Sequence, residues 1–245
     1  MNRVTRQKVL EQVLEAASDL AMTYFQKREG NLIEMKEPGD YVSRADRDVE
    51  ELIRQELETA FPDDALVCEE SGGVAEAGFW AVDPIDGSAN FLSGNPLWAV
   101  SIAYVEDGSP RLGGIALPAL GEIHIAEAER TLNSERSLAP AVVFGVGRNA
   151  KWNRDDRIAW ENQAEGLDLN VCCLGSCAAS LAFCASRRMA GYVEKSVYVW
   201  DIAAGAVLCA AAGLDVECEI DTRTMRGDIF VMEKSARMRG QISFS

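Results

Sequence analysis

Residues 80–91, Trp80-Ala81-Val82-Asp83-Pro84-Ile85-Asp86-Gly87-Ser88-Ala89-Asn90-Phe91, constrain this chain more than any other stretch. An apolar run leads straight into an acid, which reads as a short β-strand delivering a carboxylate to its end. Pro84 has no N–H and biases Asp83 toward extended geometry, so strand pairing is expected to stop at Asp83. Asp86 then follows a tight turn. Asp83 and Asp86, with the Ile85 carbonyl between them, offer hard oxygen donors to a small cation, and magnesium demands such ligands at about 2.0–2.1 Å. Gly87 lets backbone approach a ligand without a Cβ in the way, and Ser88 opens a short helix whose free N–H groups suit a phosphate. For an isolated Asp-Gly pair the competing reading is an Asx-type turn with no ligand.

Around this segment the apolar periodicity alternates between helix and strand. Val9, Val13, Ala16, Ala17 and Leu20 predict an amphipathic helix over residues 3 to 28, ending near Gly30. Ser43 is a suitable N-cap for a second helix with Val49, Leu52, Ile53 and Leu57 on its apolar face, stopped by Pro62. Short strands are expected at 66–68 and 79–82, and residues 98–127 read as a meander broken at Asp107-Gly108 and at residues 118–121. Beyond residue 140 the pattern becomes strand 141–144, helix 153–164, strand 169–173, helix 176–190, strand 191–194 and an Ala-rich helix from about Asp201. Without repeats or a low-complexity linker, a layered α/β body is expected, with a seam near residues 130–140.

Composition removes several function classes. Thirty-nine acidic against twenty-four basic side chains give a net charge of −15, which repels nucleic-acid backbones and anionic membranes. No apolar run approaches the roughly 20 residues of a membrane helix, so neither secretion nor spanning is expected and the chain reads as cytoplasmic. Seven cysteines without a CxxC pair predict reduced, packed thiols rather than a disulfide framework or zinc ribbon. The single histidine, His124, lies in a strand pattern and reads as a solvated position, so a His-rich metal site is excluded. Gly145-Val146-Gly147-Arg148-Asn149-Ala150 fits a dinucleotide fingerprint, but no acid ends the next strand, and a strand-to-loop transition is the better reading. No EF-hand loop appears.

The 80–91 string resembles the DP(I/L)DG(T/S)xNF signature of the inositol monophosphatase family, whose relatives include the fructose-1,6-bisphosphatases. Three further elements occur in the family's order. Asp40-Tyr41-Val42-Ser43-Arg44-Ala45-Asp46 resembles D-x-V-(T/S)-x-x-D, and Cys68-Glu69-Glu70-Ser71 resembles G-E-E-S with Cys for Gly. Trp200-Asp201-Ile202-Ala203-Ala204-Gly205 is similar to W-D-x-A-(A/G)-(A/G). The resemblance implies a layered αβαβα sandwich, with an N-terminal α+β half over 1–135 and a C-terminal α/β half over 136–245.

It also implies a site. Glu69, Asp83 and the Ile85 carbonyl would hold one Mg²⁺, and Asp83, Asp86 and Asp201 a second, with two or three ions per site. Gly87 and Ser88 would cradle the phosphate; Ser88, Asp46 and Glu69 would position and deprotonate the attacking water. Asp86, Gly175, Cys177, Glu194 and Asp201 would meet the substrate. Carboxylates crowded in this way support the metal independently, since each like-charge pair at roughly 4 Å costs about 4 kcal/mol at an effective dielectric near 20. Asp46 and Asp201 also have a plain alternative as helix caps.

The implied activity is Mg²⁺-dependent hydrolysis of a small phosphate ester by a homodimer, inositol monophosphate or a similar polyol or sugar phosphate first. Histidinol phosphate, fructose bisphosphate and a nucleotide 3′-phosphate are alternatives, and Glu194 favours a hydroxyl-rich substrate over one needing arginine pairing to a second phosphate. A catalytically silent regulatory protein on the same scaffold is the alternative of another class. Departures from the pattern, a short interval from Glu69 to Asp83 and cysteines at 68 and 177, leave the substrate open.

Overall fold

The computed structural model describes residues 5–27, 34–37, 40–130 and 141–233, and for 34–37 and 40–42 the backbone alone. The expected seam near 130–140 therefore lies, beyond residue 130, outside the described residues. Helix α1 (Arg6–Lys27) is followed by a hairpin of β1 (Glu34–Glu37) and β2 (Asp40–Val42), then α2 (Arg44–Ala60). Strands β3 (Ala65–Cys68), β4 (Gly78–Asp86), β5 (Ala99–Glu106), β6 (Ser109–Leu117) and β7 (Glu122–Glu127) form one sheet in sequential order, with the short helix α3 (Ser88–Ser93) after β4. A second sheet, ordered β11-β12-β10-β8-β9, is built from β8 (Val143–Val146), β9 (Asn170–Cys172), β10 (Gly191–Tyr198), β11 (Asp215–Asp221) and β12 (Arg226–Met232). Its helices are α4 (Arg154–Glu165), α5 (Cys177–Ala185) and α6 (Val199–Ala211).

Period-two alternation in the strands creates the layers. In β4, Trp80 and Val82 pack with Leu10 and Leu14 of α1 and Val49 and Ile53 of α2, while Phe79 and Ala81 pack with Ala179 of α5 and Ala203 and Val207 of α6. In β12, Ile229 and Val231 face Leu181, Ile202 and Cys209, while Phe230 and Met232 face Trp160 and Ala164 of α4. The order is thus α1/α2, sheet, α5/α6, sheet, α4, an αβαβα sandwich. The middle helices are apolar on all sides because both flanks are covered. They are also alanine-rich because the sheets approach closely: a Cβ on Gly113 of β6 would lie 2.5 Å from the Ala204 carbonyl oxygen.

Several boundaries differ from the sequence expectation for identifiable reasons. Pairing does not stop at Asp83. Toward β3 it does end at Val82, opposite Cys68, but toward β5 the strand crosses Pro84 through a register shift between Asp83 and Asp86, and Asp86 pairs with Ala99. A bulge accommodates the missing proline N–H that continuous pairing could not. The helix expected over 176–190 ends at Ala185, where the chain turns through Arg187 at φ +62°. The Ala-rich helix begins at Val199, so Asp201 sits in its first turn and is not its N-cap; that position belongs to Tyr198. The β11–β12 hairpin and the β1–β2 hairpin are additions to the sequence reading. Ser43 caps α2 as expected, in a capping box with Asp46. The cysteines are free, with Cys68, Cys177, Cys184 and Cys209 buried and Cys173 exposed. His124 is partly covered in β7 beside Glu122, 3.0 Å away. Among the described residues no helix is long and apolar enough to cross a membrane.

Candidate active site

Three structural junctions bring the acids together. The end of β4 supplies Asp83, which is 2% exposed, and after the bulge Asp86; the loop after β3 supplies Glu69; the first turn of α6 supplies Asp201. One carboxylate oxygen each from Asp83, Asp86 and Asp201 lies within 4.8 Å of the others. Glu69 stands beside this group, close enough to raise Asp83 by charge repulsion and by a hydrogen bond. Burial pushes Asp83 well above the usual carboxylate range, and Glu69, Asp86 and Asp201 push it further. Asp201 is likewise raised well above, first by burial and then by Asp86, Glu69 and Glu194. Asp86 is raised by burial against several opposing hydrogen bonds.

Those opposing bonds come from the start of α5. Ser176 Oγ donates to Asp86 Oδ2 at 2.5 Å and the Ala178 N–H donates to the same oxygen at 2.6 Å. A carboxylate at a helix N-terminus is electrostatically favoured, so Asp86 Oδ2 is fixed there. Gly87 is the joint that makes this possible. Its φ of +89° is a left-handed conformation, and a Cβ there would meet the Ser176 Cβ at 3.0 Å and the Gly175 carbonyl oxygen at 3.1 Å. The Asx hydrogen bond expected of an Asp-rich turn is also present, from the Ile85 N–H to Asp83 Oδ1 at 2.9 Å, so the turn chemistry and the acid cluster coexist.

Behind the cluster, Ser88 Oγ lies 3.1 Å from the Ile85 carbonyl oxygen and 3.3 Å from Asp46 Oδ1. Its single proton serves one acceptor at a time. Asp46 Oδ2 accepts from the Ser43 N–H at 2.8 Å and from Ser43 Oγ at 2.7 Å, so Asp46 both completes the helix cap and faces Ser88. Burial raises the Asp46 carboxyl, and the bonds from Ser43 and Ser88 offset part of that.

A cleft of about 1160 Å³ gathers Glu69, Asp83, Ile85, Asp86, Gly87, Ser88, Gly175, Cys177, Glu194 and Asp201 on its lining; Asp46 is set behind Ser88. Glu194 is 6% exposed, and its oxygens accept from the Tyr192 hydroxyl and, at 3.0 Å, from Asn149 Nδ2. Burial raises its carboxyl while those bonds lower it. Cys177 is buried beside Glu194, and its thiol is pushed well up by burial first and then by Glu194, Asp86 and Asp201. The 145–150 segment is the strand-to-loop transition expected, leaving β8 after Val146.

Sequence reasoning named Gly175 and Cys177 but not Ser176 between them, and it missed Glu50. Glu50 is buried on α2, and its oxygens accept from the backbone N–H groups of Glu70 at 2.7 Å and Ser71 at 2.9 Å. The signal was its place on the apolar face with Ile53 and Leu57, three and seven residues on. Glu50→Ala leaves those amides without an acceptor and is expected to cost about 2–3 kcal/mol, read as a lowered urea midpoint at constant m-value.

Could this donor set hold a metal? The converging donors of Asp83, Asp86 and Asp201 are hard carboxylate oxygens, buried or half-buried, and their charges are mutually unfavourable without a counter-ion. The residues therefore fit a small divalent cation and fit a thiol- or imidazole-seeking metal poorly.

Fold and site together define a layered α/β protein with a buried carboxylate cluster at the floor of a small-molecule cleft. The chain belongs to the inositol monophosphatase family, whose sequence profile matches residues 3–235. It is 46% identical over 214 residues to the uncharacterized protein y4fL of Sinorhizobium fredii, covering 85% of this chain and 78% of that one. It is 37% identical over 194 residues to an inositol-1-monophosphatase of Mesorhizobium japonicum, covering 74% and 73%. Among solved structures, the extragenic suppressor protein SuhB of Bartonella henselae superposes with a TM-score of 0.82 at 27% identity, covering 94% of this chain and 95% of that one.

Proposed function

We propose that this chain is a magnesium-dependent phosphomonoesterase for a small polyol or sugar phosphate, with inositol monophosphate as the reference substrate. The observation that carries this reading is the convergence of Asp83 and Asp86 with Asp201, more than a hundred residues on, within 4.8 Å in one cleft. Glu69, Asp83 and the Ile85 carbonyl would hold one cation, and Asp83, Asp86 and Asp201 another. When bound, magnesium supplies an activated water and stabilises charge on the attacking and leaving oxygens. In this reading residues 1–135 provide most ligands and 136–245 complete the site; the homodimer rests on kinship alone, and cytoplasmic residence on the absence of a membrane-length apolar run in the sequence.

The chain's own residues then divide the remaining work. Backbone N–H groups at Gly87 and Ser88 bind the phosphate oxygens, while the Ser88 hydroxyl faces the water. As water attacks phosphorus, its proton passes to Ser88 Oγ while Ser88 gives its own to Asp46 Oδ1, 3.3 Å away. Burial makes Asp46 a stronger base than a solvated aspartate, which suits that transfer. Glu69 assists at the water, and Glu194 orients the hydroxyl-bearing part of the substrate from beside Cys177 and Gly175. The P–O ester bond breaks, the leaving alkoxide takes a proton from a solvent water in the cleft, and Asp46 returns the proton it received to solvent.

A second reading, a regulatory protein that kept the scaffold, draws on the likeness to the Bartonella extragenic suppressor protein. Phosphate release decides between them. With Mg²⁺ present, release from inositol monophosphate is expected and EDTA abolishes it; histidinol phosphate, fructose bisphosphate and a nucleoside 3′-phosphate are measured in parallel. No release from any ester, or release indifferent to EDTA, overturns the proposal.

A further inference from the structure

Helix α2 buries two carboxylates one turn apart, Asp46 and Glu50, at 1% and 3% exposure. Asp46 reaches Ser88. Glu50 is not on the cleft lining. Its Oε2 accepts from the Glu70 N–H at 2.7 Å and its Oε1 from the Ser71 N–H at 2.9 Å, so each oxygen holds one of the two amides that follow Glu69.

Closing that loop does not require Glu50. The Cys68 N–H donates to the Gly72 carbonyl at 3.0 Å and the Gly72 N–H to the Cys68 carbonyl at 2.9 Å, which already ties the ends together. What Glu50 adds is direction. The Glu69 N–H donates to the Val82 carbonyl at 3.0 Å, next to Asp83, and Glu50 holds the following amide. Glu69 is thereby fixed through the backbone on both sides of its Cα, and its side chain is delivered to the Asp83 carboxyl, with which it shares a hydrogen bond. One turn further along α2, Arg54 Nη1 donates to Ser71 Oγ at 3.2 Å, and Arg54 and Ser71 both meet the Cys68 thiol. The cysteine that stands where the family pattern has glycine is part of the same grip. A buried carboxylate is a costly acceptor where stability alone is at stake, since its charge must be desolvated.

We propose that Glu50, braced by Arg54, is a positioning residue for Glu69 and thereby sets how tightly the site takes up its cation. With Asp46 facing Ser88 one turn earlier, α2 acts as a bar that fixes the Glu69 loop relative to the pair Asp46 and Ser88. Removing a partner that orients a metal-ligating side chain commonly weakens metal affinity about 10- to 100-fold.

The inference rests on the cation-binding part of the proposed function, and its test separates binding from turnover. Calorimetric Mg²⁺ titrations, and the Mg²⁺ dependence of phosphate release from inositol monophosphate, are compared for the unsubstituted chain, Glu50→Gln, Arg54→Ala and Leu57→Val. A glutamine at 50 offers one acceptor oxygen to two amides. Leu57→Val loosens the core face of the same helix, seven residues further on. Glu50→Gln is expected to raise the Mg²⁺ dissociation constant and half-saturating concentration about tenfold or more, with kcat within about threefold of the unsubstituted value at excess Mg²⁺. Arg54→Ala raises both by about two- to fivefold. Leu57→Val lowers Tm and leaves both unchanged. Mg²⁺ binding by Glu50→Gln as tight as by the unsubstituted chain, or an equal loss of affinity in Leu57→Val, overturns the inference and leaves the phosphatase reading standing. Should Glu50→Gln not fold, Arg54→Ala decides, and unchanged Mg²⁺ affinity there is equally fatal. Weakened Mg²⁺ binding in a protein that hydrolyses no ester keeps the inference and ends the phosphatase reading; no Mg²⁺ binding by the unsubstituted chain ends both.

Discussion

Asp83→Asn will slow phosphate release by about 10²- to 10³-fold, yet its metal-free form will melt at a higher temperature than the metal-free unsubstituted chain at pH 7.5. The two effects have one cause. Asp83 is buried against Glu69, Asp86 and Asp201, so ionising it without a counter-ion is unfavourable, and a neutral amide of equal size relieves that. The Ile85 N–H keeps its acceptor, because an asparagine Oδ1 can take the bond made at 2.9 Å in the native turn. The same change removes the carboxylate proposed to bridge both cations, so magnesium will stabilise the variant far less. Phosphate release and melting curves with Mg²⁺ and with EDTA read both effects. A variant that melts lower than the unsubstituted chain in EDTA, or that retains full activity, sinks the account of Asp83 as a buried charge awaiting a metal.

The acids of this cleft were readable in the sequence to unequal degrees. Asp83, Asp86, Gly87 and Ser88 lie in one short string, so local chemistry alone pointed to oxygen donors beside a potential anion site. Asp201 and Glu69 could be joined to them only through resemblance, since nothing in their own neighbourhoods says which distant strand end they will face. Pro84 misled because a proline can be carried by a bulge on one edge of a strand while pairing ends on the other.

Elements set by tertiary packing were the hardest to read. The β11–β12 pair alternates Asp215, Val216, Glu217, Cys218, Glu219, Ile220, Asp221 on its outer strand, and such mixed alternation becomes a strand only because β10 pairs with β12 and α6 covers it. The layer structure was more legible, since strict alternation in β4 requires an apolar partner on each face.

Magnesium will raise the melting temperature more at pH 8 than at pH 5. Asp83, Asp86 and Asp201 have folded-state pKa values raised above those of the unfolded chain, which stay near 4. Between the two values the native protein holds more protons than the unfolded one, so this part of its stability is fully present below about pH 4 and is lost as pH rises through the raised values. Glu122, held down by Arg188, works in the opposite sense: its contribution is present above the ordinary glutamate range and is lost as the solution is acidified. Comparison with Asp83→Asn at each pH separates the site from that background. Cations and protons compete for the same oxygens, so the magnesium increment must grow as the protons leave. At a concentration 100 times the dissociation constant, binding adds about 2.7 kcal/mol, or roughly 5–10 °C for a chain of this size. Thermal scans from pH 5 to pH 8 with and without Mg²⁺ measure it. An increment that is flat across this range, or largest at pH 5, would mean that the cation stabilises the fold somewhere other than at these carboxylates.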